Sequence, residues 1–196
     1  MIYLNMNECG YDTDRIGFPG VLGCQAYAFS TATAMYGLHY TGGSDMGAAF
    51  QRRIPAFAKF VLEHGVPGKK FVHACGVTSA RGRGYHPDRR REQWEAEIKA
   101  VGNAIGYSGP ISILNTDTMI NWFKWTTTYI EFRLIGDKLG LWLQEWHDES
   151  KKECPVTTTE STNHKYIGAG TVDDVATTIQ DPDKTNLVQY PLKPLD

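Results

Sequence analysis

Residues 126–146 constrain the fold most, because two strand-forming runs here flank a turn signal. Thr126–Ile135 is rich in β-branched and aromatic residues, and Lys138–Trp146 is a second run of this kind. Gly136 and Asp137 separate the two runs. A Gly-Asp pair in this position is typical of a β-hairpin. The sequence therefore predicts an antiparallel hairpin late in the main body of the chain.

Two segments show the three- and four-residue apolar spacing of helices that pack one face on a core. The first is Ser44–Gly65, which Pro55 is expected to kink or split, and the second is Asp88–Gly106. Short strands are predicted at Ile2–Asn5, Lys70–Cys75 and Pro110–Asn115, with a polar, Gly-rich stretch between the first strand and residue 20. This order predicts an α+β fold, with mixed, largely antiparallel sheet layers or a sandwich flanked by two main helices.

Hydrophobic spacing fades late in the chain. We expect residues 1–147 to form an α/β domain and residues 148–196 to be a peripheral extension, packed on it or partly irregular.

The formal net charge is −2, from 20 Lys and Arg against 22 Asp and Glu. Such a balance argues against a nucleic-acid partner. No apolar run is long enough for a membrane-spanning helix, and the first residues lack the pattern of a Sec signal.

Four cysteines stand at positions 9, 24, 75 and 154. They are too few for a disulfide scaffold, and no CxxC pair indicates a structural zinc site. Neither a GxGxxG motif after a strand nor a P-loop pattern occurs, so the sequence gives no support for a nucleotide. We therefore expect no cofactor and no metal, and the question becomes whether one thiol is chemically special.

Cys24 is the thiol with a suggestive neighbourhood. It follows Gly23 directly, and His39 comes fifteen positions later. In an antiparallel hairpin that turns near Thr31, Cys24 would lie opposite His39, with Cβ atoms about 4.5–5.5 Å apart. Small residues on the same face (Ala26, Ala28 and Gly37) would leave the pair accessible. The alternative is an Ala-rich helix over residues 24–35, with the thiol at the N-terminus where the helix dipole favours the thiolate.

A paired thiol and imidazole support nucleophilic catalysis. A free thiol has a pKa of about 8.5 and is mostly protonated at neutral pH. A neighbouring imidazole accepts its proton, so that the sulfur can attack a carboxamide or ester carbonyl. Backbone N–H groups at Gly23 and Cys24 could stabilise the oxyanion that forms. The sequence thus indicates Cys24 as nucleophile and His39 as base.

The run Leu22-Gly23-Cys24, followed fifteen residues later by His39, resembles the glutamine deamidases of the CheD and cytotoxic-necrotizing-factor group. The resemblance covers roughly residues 17–146 and includes the order of the elements. It implies that Cys24 is the nucleophile and His39 the general base and acid. Some members orient the histidine with a threonine six positions before the cysteine. Phe18 stands there in this chain, so a backbone carbonyl, as other members use, could replace it.

The resemblance also implies a substrate and a biological role. The chain departs from the chemoreceptor enzymes around Gly76, which favours a distant, toxin-like member. Such a bacterial toxin or effector would deamidate a glutamine of a host regulatory protein, for example a small GTPase or a translation factor. We expect a monomer with a protein substrate and no membrane partner. It would be cytoplasmic in the producing cell, or delivered into a target cell without a Sec signal.

Other interpretations stay open at this point. The chain could be a non-enzymatic protein-interaction module, with Cys24 and His39 in structural roles. It could also be a Cys-His acyltransferase or protease that uses the same two residues. A second pair, His73 and Cys75, would share one face of a strand, although simple strand packing explains it as well.

Overall fold

The computed structural model describes residues 1–65, 70–124, 126–146, 153–155, 163–168, 178–180, 187–193 and 195. Three helices are α1 (Ala48–His64), α2 (Ala80–Arg83) and α3 (Arg90–Ala104), and a 3-10 turn at Pro87–Arg89 leads into the last. The strands are β1 (Ile2–Tyr3), β2 (Glu8–Asp12), β3 (Arg15–Val21), β4 (Gln25–Thr31), β5 (Met35–Tyr40), β6 (Phe71–Thr78), β7 (Ile111–Asn115), β8 (Thr127–Ile135), β9 (Lys138–Trp146), β10 (Glu153–Pro155), β11 (His164–Tyr166), β12 (Thr178–Gln180) and β13 (Val188–Tyr190).

The strands form two mixed, mostly antiparallel sheets. One has five strands in the order β1-β3-β8-β9-β13, and the other has six in the order β11-β2-β5-β4-β6-β7. Only β1–β3 and β6–β7 pair in parallel within these two sheets as the structure describes them. Strands β10 and β12 form a separate pair. The predicted α+β fold, with two sheets and two main helices, is confirmed.

The six-stranded sheet is covered on both faces, and alternate residues of β4 show how. Ala26 and Ala28 point into a core shared with Ile130 and Leu141 of the five-stranded sheet. Tyr27, by contrast, lies in a second core that includes apolar side chains of α1 and α3. The layers are therefore sheet, sheet and helices. Both strands of the central hairpin β4–β5 are buried throughout.

The predicted late hairpin is confirmed. Strands β8 and β9 pair over their full length from Thr127↔Trp146 to Ile135↔Lys138. Gly136 has a φ of 64° in the turn, a left-handed conformation that favours glycine. The local sequence specifies this hairpin because two β-branched and aromatic runs flank a two-residue turn.

The helix predictions need corrections at their edges. α1 begins at Ala48, later than Ser44, and it continues through Pro55 as one helix.

The stretch up to residue 20, predicted as a polar connection, contains strands β2 and β3. The glycines of these strands lower the strand propensity of the sequence, which is why the strands were not predicted. Gly10 and Gly17 lie where neighbouring side chains pack closely, because a Cβ there would come within 3.0 Å of them. Among the described residues, no helix is long and apolar enough to cross a membrane.

The described parts of residues 148–196 add to both sheets. β11 pairs with β2 at the edge of the six-stranded sheet, and β13 pairs with β9 at the edge of the five-stranded sheet. The backbone N–H of Leu195 also donates to the carbonyl of Ile111. The predicted boundary after residue 147 lies outside the described residues.

Candidate functional site

The segment that carries Cys24 and His39 is a hairpin. Strands β4 and β5 pair with Ala26 opposite His39 and Ser30 opposite Met35. The alternative helix over residues 24–35 is therefore excluded. The hairpin prediction was right in kind but wrong in register by two residues, because Cys24 is not opposite His39.

The turn explains the register error. Thr31 N–H donates to the carbonyl of Ala34, and the Thr31 Oγ1 accepts from the backbone N–H groups of Thr33 and Ala34. This side-chain-supported turn is centred between Ala32 and Thr33, one position later than predicted. A shift of one position in the turn changes every cross-strand pair by two residues.

Cys24 and His39 nevertheless both adjoin the core between the two sheets. Cys24 directly precedes β4 and lies in the core between the sheets together with Ala26 and Phe18, and the His39 ring packs on Phe18. Within the described part of the chain, His39 Nε2 has no hydrogen-bond partner, and the Cys24 thiol therefore makes no hydrogen bond with it.

His39 is held by the backbone of the N-terminal segment. Its Nδ1 lies 2.8 Å from the carbonyl oxygen of Leu4, so this nitrogen carries the proton and donates it. The ring packs against Phe18 with a centroid distance of 5.8 Å. A backbone carbonyl thus fixes the orientation of the His39 ring, and no threonine is needed for it. The remaining nitrogen, Nε2, is left as an acceptor.

The turn before β4 places the thiol. Thr78 Oγ1 donates to the carbonyl of Cys24 and lies 3.4 Å from that of Leu22. A Cβ on Gly23 would come within 2.9 Å of the Gly82 carbonyl, so only glycine fits without displacing α2. The predicted Gly23-Cys24 turn therefore packs directly against the backbone of α2. Cys24 has an exposed fraction of 8%.

The expected accessibility of this face is wrong. Cys24, Ala26 and Ala28 lie in the core between the two sheets. A Cβ on Gly37 would meet Leu4 at 2.8 Å and Phe18 at 2.9 Å. The small residues therefore make room for the opposing sheet, and His39 is completely buried. Cys24, which directly precedes β4, is the more exposed of the two residues.

Burial sets the protonation of both groups. Desolvation raises the pKa of the Cys24 thiol to about 11, although the positive charge of Arg83 and a backbone hydrogen bond of Leu22 oppose the shift. Desolvation lowers the pKa of His39 to about 4, against the effect of the Leu4 carbonyl. At neutral pH the structure therefore holds a neutral thiol and a neutral imidazole.

Cys9 and Cys75 have higher thiol pKa values than Cys24 and are more deeply buried. Burial raises the pKa of Cys9 to about 12 and raises that of Cys75 further. Both side chains are fully buried, whereas Cys24 is slightly exposed. His73 Nε2 lies 2.8 Å from Ser112 Oγ, so the alternative His73–Cys75 pair gains no support from its hydrogen bonding.

A buried ion pair beside the Cys24 turn did not follow from the sequence analysis. Arg83 and Glu97 approach to 2.6 Å, and both side chains are fully buried. Two tyrosines complete the cluster, because Tyr27 and Tyr85 donate to Glu97 at 2.6 and 2.8 Å. One signal was present in the sequence: Glu97 follows Trp94 by three positions and precedes Ile98, which places a carboxylate on the apolar face of α3.

No protein-family model matches the chain, and a search of curated proteins finds no match. Any functional class therefore depends on the fold and on the geometry around Cys24 and His39.

The burial of His39 predicts a specific dependence of stability on pH. The unfolded chain takes up a proton on this residue below about pH 6.5, whereas the folded chain does so only near pH 4. The free energy of unfolding should therefore fall as pH falls through this window. The share due to His39 is roughly 3 kcal/mol between about pH 7 and about pH 4.

Urea unfolding of His39→Leu measures that share. The variant should lose less stability than the parent protein between the two pH values, by roughly the same 3 kcal/mol. His86→Gln is the matched control, because His86 is exposed, and it should follow the parent. Equal pH slopes for His39→Leu and the parent protein would show that His39 is not held neutral by burial.

Proposed function

We propose that the protein is a cysteine-dependent protein glutamine deamidase, with Cys24 as nucleophile and His39 as general base and acid. One observation carries the proposal. The Leu4 carbonyl holds Nδ1 of His39, which leaves Nε2 as an unpartnered acceptor among the described residues, and the ring packs on Phe18 of the same core that contains Cys24. An orienting partner on one ring nitrogen and a free lone pair on the other are what a general base requires.

The chemistry proceeds through a thioester. Nε2 of His39 takes the thiol proton as Cys24 Sγ bonds to the carboxamide carbon, and the carbonyl electrons move to oxygen. Backbone N–H groups at Gly23 and Cys24 stabilise this oxyanion. The imidazolium then gives its proton to the amide nitrogen, the carbon–nitrogen bond breaks as the oxyanion electrons re-form the carbonyl, and ammonia leaves. Water, deprotonated by His39, then attacks the thioester, and the products are glutamate and the restored thiol.

The neutral resting pair fits this sequence of steps. Proton transfer accompanies attack, so the free enzyme does not need a thiolate–imidazolium pair. Catalytic hydrogen bonds are often long or misaligned before substrate binds. The proposal assigns the contact between Cys24 Sγ and His39 Nε2 to the reacting state. Attack on an electrophile, either the substrate carboxamide or an alkylating agent, is accompanied by a rotation of Cys24, the more exposed of the two residues, that brings the sulfur to the ring.

The resemblance of the Leu22-Gly23-Cys24 run to the toxin-like deamidases supplies the substrate class. The sheet sandwich with two helices supports this assignment, because the resemblance implied the same order of elements. We therefore propose a bacterial toxin or effector that modifies a host regulatory protein, such as a small GTPase or a translation factor. The near-neutral net charge of −2 is consistent with a protein substrate.

Incubation with a panel of small GTPases and translation factors tests this function. The expected result is ammonia release and the small mass gain of an amide-to-acid conversion, located at one glutamine by peptide mass spectrometry. Cleavage of a panel protein would favour a protease, and a larger adduct would favour an acyltransferase. Conversion that persists at the parental rate in Cys24→Ala would overturn the proposal.

A further inference from the structure

Arg83 connects two chain segments that flank the candidate site. Its Nη1 donates to the carbonyl of Gly42 and lies 3.4 Å from that of Gly23, and its Nη2 lies 3.2 Å from the carbonyl of Gly43. Gly23 immediately precedes Cys24, while Gly42 and Gly43 follow β5, the strand that carries His39. One guanidinium group therefore joins the start of β4 to the end of β5, at the open end of the hairpin.

The Arg83 guanidinium is also held by side-chain contacts with Glu97 and Tyr40. Nη2 of Arg83 also donates to Glu97 at 2.6 Å, and the Arg83 Cζ atom lies 4.9 Å from the centroid of the Tyr40 ring. Glu97 in turn accepts hydrogen bonds from Tyr27 and Tyr85. A planar fork of donors can serve a carboxylate and several carbonyls at the same time, which an ammonium group cannot do. The position of Arg83 is thus set by α3 and β4.

The contact with Gly23 also affects the proposed oxyanion donor. The carbonyl of Gly23 and the N–H of Cys24 belong to one planar peptide unit and point in opposite directions. Arg83 on the carbonyl therefore directs the Cys24 N–H away from itself. This placement requires a close approach, because Gly23 and Gly82, the residue before Arg83, have no space for a Cβ.

We propose that Arg83 is a positioning residue, which sets the alignment of Cys24 with His39 by clamping the Gly23 carbonyl to the Gly42-Gly43 segment. This inference rests on the proposed function, because it assigns a task to Arg83 within the same site. The hydrogen bonds of Arg83 go to backbone carbonyls and to Glu97, and not to the thiol or the imidazole, as far as the structure describes them. Its contribution is the fixed geometry at the open end of the β4–β5 hairpin, in addition to the hydrogen bond from Thr78 to the Cys24 carbonyl.

A double-mutant cycle on thiol alkylation tests the clamp. Iodoacetamide is the probe, and peptide mass spectrometry follows the rate at Cys24 alone. His39→Leu should slow this rate by about tenfold in the parent protein, a coupling within the range seen for interacting residues. In the Arg83→Lys background, which keeps the positive charge but loses the fork, His39→Leu should change the rate less than about twofold.

Arg53→Lys is the matched control. Arg53 also donates to the Thr41–Gly43 segment and lies over Tyr40 at 5.9 Å, but its hydrogen bonds go to Thr41 and not to the Leu22–Cys24 turn, as far as the structure describes the chain. In this background the full effect of His39→Leu should remain. A full His39 effect in Arg83→Lys would overturn the clamp and leave the deamidase proposal standing. No His39 effect in the parent protein would overturn both.

A second variant covers the case in which Arg83→Lys fails to fold. The double substitution Arg83→Met with Glu97→Met removes both charges together, and replacing a buried ion pair with apolar side chains is often tolerated. The His39 effect on the Cys24 alkylation rate should be lost in this variant as well. Its retention would overturn the clamp in the same way.

Discussion

Replacing Glu97 with glutamine is expected to lower the free energy of unfolding by about 3–5 kcal/mol. The carboxylate accepts from Arg83, Tyr27 and Tyr85, and the side chains of Arg83 and Glu97 are fully buried. The variant keeps the shape of the side chain but leaves Arg83 as a buried, uncompensated cation. Such a loss is a large part of the total stability of a domain, which is about 5–15 kcal/mol.

Chemical denaturation followed by circular dichroism measures this effect. Glu92→Gln is the matched control, because it also removes a carboxylate of α3 that pairs with an arginine, Arg89, at 2.6 Å. That pair is exposed on both sides, so the control should keep the parental free energy of unfolding. If both variants unfolded at the same denaturant concentration, the account of Arg83 and Glu97 as a buried structural pair would be wrong.

Replacing Cys24 with alanine is expected to remove deamidation almost completely. Loss of a catalytic nucleophile lowers kcat by about 10⁴-fold or more, because the remaining groups cannot form the covalent intermediate. The fold should survive, since Cys24 directly precedes β4 and the change removes one sulfur atom from the edge of the core. The rate of glutamine conversion in a panel protein, measured for parent and variant at equal concentration, gives the ratio.

Cys75→Ala is the control for that comparison. Cys75 lies in the same core between the sheets but is completely buried on β6. It should lose some stability through the cavity that is left, yet keep its deamidation rate at temperatures where it remains folded. Equal losses of activity in Cys24→Ala and Cys75→Ala would attribute the effect to packing, and the nucleophile assignment would not hold.

The features that the sequence predicted well are local. The β8–β9 hairpin depends on two strand-forming runs and the Gly136-Asp137 turn, all within twenty-one residues. The β4–β5 hairpin was one of two local interpretations, the other being a helix over residues 24–35, and the structure selects the hairpin. Its register does not, because the Thr31 side chain accepts from two backbone N–H groups and shifts the turn by one position. Period-two patterns tolerate such a shift, since both registers keep the same residues on each face.

The surroundings of the site depend on contacts that are distant in sequence. His39 is oriented by the backbone carbonyl of Leu4, and a carbonyl is present at every position, so no residue type marks it. Arg83 reaches Gly23 sixty positions away. Its partner Glu97 was the recognisable element, as a carboxylate on the apolar face of α3. The small residues of β4 and β5 fitted either an open cleft or a packed second sheet, and only the three-dimensional arrangement distinguishes these.

The most direct measurement of the Cys24–His39 pair is the alkylation of the native protein near neutral pH, followed separately at each cysteine. Cys24 should react before Cys9 and Cys75, because it has the lower pKa of the three and is the more exposed. His39→Leu should slow Cys24 and leave the other two rates unchanged. Equal, slow labelling at Cys9, Cys24 and Cys75, or a Cys24 rate that is indifferent to His39, would contradict the proposed catalytic pair.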